Sequence, residues 1–169
     1  TAFRMNYVGQ QNSTAVVYLD NVVITGCGIP DYPTITKTFA PDPIAVGGTS
    51  ILSFTINNPN PYADLTEISF SDNLPAELTV PTAGPVNTCG GSLTTTAPGT
   101  IEFSDGILLA GTRCDLVGIT VSATAPGSHI NISGYISSKE TGTNTGTGGS
   151  ATDSLTAILP PSIAKSFDP

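Results

Sequence analysis

Tryptophan is absent from this chain, histidine occurs once, and only 11% of the residues carry charge. Each shortage excludes something. Without Trp there is no indole platform for a sugar ring, and five Tyr are thin provision of the aromatic anchors on which binding sites lean. With His129 as the only histidine, a nucleophilic triad has one candidate base and a Cys/His metal site is short of ligands. Five Lys and Arg against thirteen Asp and Glu give a net charge of −8. That is opposite in sign to the basic stripe that neutralises phosphates, which excludes nucleic acid as a partner. It equally disfavours an anionic membrane surface. No apolar run reaches bilayer-spanning length, so membrane insertion is not expected of this segment. Thr1 to Met5 lack signal-peptide organisation, and without an initiator Met the chain reads as mature or excised from something longer.

What is abundant points one way. Hydrophobic residues reach 38%, enough for a core, beside 18 Gly, 14 Pro and many Thr and Ser. That mixture suits strands with uncharged polar outer faces and turn-rich connections. Apolar positions alternate with a period of two, and no amphipathic helix is evident. Leu52, Phe54 and Ile56 face one way in the strand Ser50 to Asn57. Val117, Ile119, Val121 and Ala123 do the same, as do Ile130, Ile132 and Ile136. Shorter strands are expected at 34–39, 66–72, 101–103 and 152–158. Turn signals such as Asn58-Pro59-Asn60-Pro61 and Ala125-Pro126-Gly127 lie between strands. Some seven short strands at this spacing predict an all-β, immunoglobulin-like two-sheet sandwich. The segment 137–151, rich in Gly, Thr and Ser, reads as an exposed, flexible hairpin loop.

The chain also echoes itself. Pro33-Thr34-Ile35-Thr36-Lys37-Thr38-Phe39 returns 128 residues later as Pro161-Ser162-Ile163-Ala164-Lys165-Ser166-Phe167. A period of one domain marks a tandem array. The expected organisation is therefore three parts. Residues 1–29 contain a long strand, Val16 to Thr25, and read as the end of a preceding β domain or as a strand-donating segment. Residues 30–160 form the sandwich, entered through the short linker Pro30 to Pro33. Residues 161–169 open the next copy.

Cys27, Cys89 and Cys114 have no zinc or redox spacing. Cys89 bonded to Cys114 is the expected pair, leaving Cys27 for a partner upstream, and a disulfide calls for an oxidising compartment.

From Pro33 to Leu159 the chain resembles the bacterial surface repeats of the domain-of-unknown-function-eleven type. The resemblance rests on Ile35-Thr36-Lys37-Thr38-Phe39, on Val46-Gly47-Gly48-Thr49-Ser50, on Asn57-Asn58-Pro59, and on the turn Asp72-Asn73-Leu74-Pro75. Cys89-Gly90-Gly91 and Cys114 resemble the paired cysteines of one branch. The resemblance implies an Ig-like fold, tandem repetition, a place on the bacterial cell surface and no catalysis. Val17-Tyr18-Leu19-Asp20-Asn21-Val22 is more loosely similar to the last strand of a jelly-roll lectin or carbohydrate-binding module.

Three further expectations concern single residues. Lys37 shares a strand face with Ile35 and Phe39. It reads in three ways: an inward charge that blocks edge-to-edge pairing, a partly buried pair with Asp72, or a Lys–Asn isopeptide of the kind found in other bacterial surface Ig-like domains. In the last case Asp72 moves the proton and Asn58 or Asn131 accepts the amine. His129 is expected at a solvent-facing strand end. Calcium is the one cofactor worth weighing, with Asp20, Asp31, Asp42 and Asp64 in or near turns. A glycosidase pair is not supported, because the acids are scattered over turns. Two functions remain: a structural repeat of a stalk, adhesin or filament, partnered by neighbouring repeats or identical subunits, or a carbohydrate- or protein-binding module. A glycan ligand would sit elsewhere in a longer protein.

Overall fold

The computed structural model describes residues 28–80 and 85–167. The expected N-terminal segment 1–29, with Asp20, Cys27 and the lectin-like strand, lies almost wholly outside the described residues. Thirteen strands and no helix occur among them. In order they are β1 (Thr34–Ala40), β2 (Ile44–Ala45), β3 (Thr49–Asn57), β4 (Leu65–Asn73), β5 (Leu78–Thr79), β6 (Val86–Asn87), β7 (Ser92–Thr96), β8 (Thr100–Leu108), β9 (Arg113–Ala123), β10 (Gly127–Ile132), β11 (Ser137–Ser138), β12 (Gly142–Thr143) and β13 (Thr152–Ile158).

Two main sheets form the sandwich. One runs β1-β3-β9-β5, with β6 also on β9, and the other runs β12-β11-β4-β8-β7. Their inner faces come from the alternation visible in the sequence: Leu52, Phe54 and Ile56 are fully buried on β3, and Ile68 and Phe70 are buried on β4. The Phe54 and Phe70 rings meet across the layers with centroids 5.0 Å apart, and Phe70 continues to Phe103 on β8 at 5.9 Å. These tilted contacts are a favoured aromatic geometry. A third, small sheet, β10-β13-β2, sits beside them, with β13 next to β1 and β10 next to β4.

Three departures from the expected pattern have physical causes. On β9 a bulge displaces the register opposite Leu52 and Phe54, where Gly118 holds a φ of 84°. Leu116 therefore takes the core position and Val117 is only half-buried. On β10 the expected faces are reversed. Ile130 and Ile132 are 63% and 59% exposed, while His129 and Asn131 point inward. The inward side chains find partners there, His129 at the Ala125 carbonyl and Asn131 at Lys37 and Asp72, so neither polar group is buried unpaired.

The segment 137–151 is the third departure. It is pinned by its own domain rather than left loose. Ile136 donates to the Gly149 carbonyl and Asn144 to that of Ile136, while Ile35 of β1 donates to Gly148. Asn144 is buried and its Nδ2 donates to the Pro33 carbonyl at 2.9 Å. A side chain on Gly149 would collide with the Asn144 carbonyl. Glycine here permits close approach of backbone to backbone, a role that composition alone reads as flexibility. Asn60 fastens the Pro30–Pro33 entry in a similar way, accepting from the Asp31 amide at 2.7 Å and donating to its carbonyl at 2.8 Å.

Candidate functional site

The reversal of β10 assembles the most unusual group in the molecule. Lys37 enters from β1, Asp72 from β4 and Asn131 from β10, one residue from each sheet. The side chains of Lys37 and Asp72 have no solvent exposure, and Asn131 is 1% exposed. Lys37 Nζ donates to Asp72 Oδ2 at 3.0 Å and also to Asn131 Oδ1. Asn131 Nδ2 donates to Asp72 Oδ1 at 2.8 Å and to the Asn73 carbonyl at 3.3 Å. Each of the three residues thus touches the other two. The Phe54 ring lies 5.9 Å from Nζ, within cation–π reach.

Burial pulls the Lys37 amine below the ordinary lysine range, opposed by attraction and hydrogen bonding to Asp72 and more weakly by Asp153. Asp153 itself is engaged at the edge of β1, where its Oδ2 accepts from the Phe39 amide at 2.8 Å. So β1 is the edge strand of its sheet, but part of its outer rim is occupied by that carboxylate and by the Gly148 carbonyl.

Asn58, the other expected acceptor, is not in this group. It is buried between β3 and β4, with Nδ2 directed to the Ala63, Leu108 and Leu109 carbonyls and Oδ1 accepting from Asn60. Its side chain satisfies a turn that would otherwise hold unpaired backbone.

Residues 33–157 match the family described as "Domain of unknown function (DUF7933)". The chain belongs to the DUF7933 family. This replaces the domain-of-unknown-function-eleven type as the family of the domain. No curated protein matches the sequence. Among solved structures, BslA, titled a bacterial hydrophobin, is 14% identical with a TM-score of 0.52, covering 80% of this chain and 100% of its own. A non-cellulosomal cohesin from the archaeon Archaeoglobus fulgidus is 12% identical, with a TM-score of 0.47 over 74% and 91%. A cohesin module from a Clostridium perfringens family 33 glycoside hydrolase is also 12% identical, with a TM-score of 0.46 over 75% and 98%. At 14% identity the likeness to BslA is one of fold alone.

The DUF7933 module carries the expected disulfide. Cys89 and Cys114 are bonded, with Cα atoms 5.0 Å apart. The bond fixes the β6–β7 connection to β9, while the Cys89 carbonyl accepts from Ile107 of β8. The fastening thus reaches both main sheets.

The remaining candidates in the DUF7933 module serve the backbone. His129 is buried, not solvent-facing, and its Nε2 lies 3.0 Å from the Ala125 carbonyl, closing the turn into β10. Of the expected calcium ligands, Asp20 lies outside the described residues, and Asp31, Asp42 and Asp64 each serve a different stretch of backbone. Asp42 Oδ1 accepts from the Thr156 amide, Asp64 Oδ1 from the Ala110 amide, and the Asp31 backbone is bonded to Asn60. No three acidic, His or Cys side chains come together as a metal site among the described residues. No helix there is long and apolar enough to cross a membrane.

Proposed function

We propose that this DUF7933 module is an extracellular structural repeat of a bacterial stalk, adhesin or filament, without catalytic activity. One observation carries the reading. In β1 the alternation Ile35, Lys37, Phe39 is buried at 2%, 5% and 6% exposure, whereas its echo leaves Ile163 98% and Phe167 83% exposed. Residues 160–167 follow β13 without strand pairing. The same apolar-Lys-apolar alternation at both places fits a first strand used more than once. The Asn60 and Asn144 clamps on 31–33 fit the same picture, because they would hold a junction between modules stiff. The disulfide supports an oxidising compartment. The single histidine, turned inward to a carbonyl rather than toward a nucleophile, supports the absence of catalysis.

Imaging of the native assembly tests this. Linear arrays with a spacing of one sandwich are expected. Isolated, unrepeated particles would overturn the array. The runner-up, a carbohydrate- or protein-binding module, has one feature in its favour: an open groove over β4, β8 and β7, lined by Ser, Thr, Glu102 and the half-exposed Tyr135. Glycan binding lost on Tyr135→Ala would select that reading.

A further inference from the structure

Lys37, Asp72 and Asn131 are an amine, a carboxyl group and a carboxamide in mutual contact, in a site without exposed side-chain surface. An ordinary buried lysine needs its charge balanced by a carboxylate. The second partner here is unusual for that purpose, because it is an amide whose own nitrogen is bonded to the same carboxylate. The arrangement has a direction. One Asp72 oxygen faces the nitrogen that can attack, and the other faces the nitrogen that can leave.

We propose that Lys37 and Asn131 become joined by an intramolecular amide, formed by the chain itself with Asp72 as the proton carrier. Asp72 Oδ2 takes a proton from the Lys37 ammonium. The neutral Nζ then adds to Asn131 Cγ, the carbon next to the oxygen it already contacts. The tetrahedral adduct passes one proton from Nζ to Asp72, whose other proton goes through Oδ1 to the Asn131 nitrogen. The Cγ–Nδ2 bond breaks and ammonia departs. The ion pair and carboxamide become a secondary amide, ammonia and a protonated Asp72, so atoms and charge balance without any co-reactant. Ammonia that carries off the last proton as ammonium leaves Asp72 ionised.

Three features favour the reaction. Burial depresses the amine's basicity and so raises the neutral, nucleophilic fraction. Reacting atoms held in contact gain an effective molarity on the order of 10⁵–10⁸ M. The dry surroundings withhold the water that would reverse the step. The product would tie β1 to β10 across 94 residues of sequence, fixing the first strand of the sandwich to its small third sheet. The inference concerns the module alone and stands or falls apart from any array.

Intact-mass measurement of the full chain, reduced and denatured, is the test. The wild type should be lighter than its sequence by one ammonia, and tandem fragmentation should recover a branched peptide joining Lys37 to Asn131. Lys37→Arg keeps a cation but cannot form this amide, and it should carry the full mass. Asp72→Asn keeps the shape without the proton transfer, and it should also stay unjoined. A folded wild type of full sequence mass would overturn the proposal. So would a missing ammonia that persists in Lys37→Arg, since that would come from cyclisation at an asparagine instead. The wild-type mass and branched peptide decide the matter even if a variant fails to fold.

Discussion

Two lysine–carboxylate pairs in this molecule have nearly the same length and opposite surroundings. Lys37–Asp72 spans 3.0 Å with neither side chain exposed, and Lys139–Glu67 spans 2.7 Å with side chains 64% and 59% exposed. Their amines move in opposite directions. Burial pulls Lys37 down, and Asp72 only partly offsets it. Lys139, in water, is raised by its hydrogen bond to Glu67 and the attached charge. Distance alone therefore says little about what an ion pair does. In solvent, attraction is screened and the pair is an ornament of the hairpin tip. In the interior, each partner is obligatory for the other, because removing one strands a charge.

The largest expected effect follows directly. Lys37→Ala leaves Asp72 buried without its cation and removes any amide to Asn131, and it should cost about 3–5 kcal/mol or more in denaturant unfolding. Lys139→Ala, the counterpart, should leave the unfolding midpoint unchanged within error. Equal losses from the two substitutions would break the contrast between buried and exposed pairs.

The disulfide sharpens the same contrast from the covalent side. Cys89 and Cys114 close a loop with a separation of 25 residues, for which chain entropy predicts about 3.5 kcal/mol. Reduction should therefore lower the melting temperature clearly, by calorimetry, in wild type and in Lys37→Arg alike. An effect confined to one background would mean that the two fastenings act on the same element.

How much of this was legible in the sequence depends on which force decided each element. The sandwich was legible, because Leu52, Phe54, Ile56 and Phe70 follow a period of two and hydrophobic burial rewards that period directly. Lys37 stood out for the converse reason, as a charge at an apolar register position, and Asp72 shares the inner face of β4 with Ile68 and Phe70. Selection between Asn58 and Asn131 was not legible. It depended on β10 turning its isoleucines outward, a choice made by contacts with β1 and β4 that lie far away in sequence. The Gly-rich stretch was misread for a related reason. Its order comes from one buried asparagine, Asn144, and from glycines that allow close approach, and neither leaves a periodic trace. Long-range polar contacts carry no local signature, whereas apolar alternation does.

The smallest effect belongs to Glu140, at the tip of the β11–β12 hairpin beside Lys139. Its carboxylate accepts from the amide and the hydroxyl of Thr66. Partial desolvation pushes Glu140 up, but those hydrogen bonds, with the charge of Lys139, outweigh it and hold the group below its ordinary value of 4.5. A carboxyl depressed on folding contributes stability above its unfolded pKa, and that contribution is lost as pH falls through the folded value. Glu140 is exposed, so solvent screening limits the contribution to about 0.5 kcal/mol or less. Glu140→Gln should therefore cost that small amount at neutral pH, read from the unfolding midpoint. The gap between wild type and variant should close as the solution is acidified below the ordinary carboxylate range. A gap that widened in acid would require the hairpin tip to hold Glu140 protonated, and would place it with the buried pair instead of the exposed one.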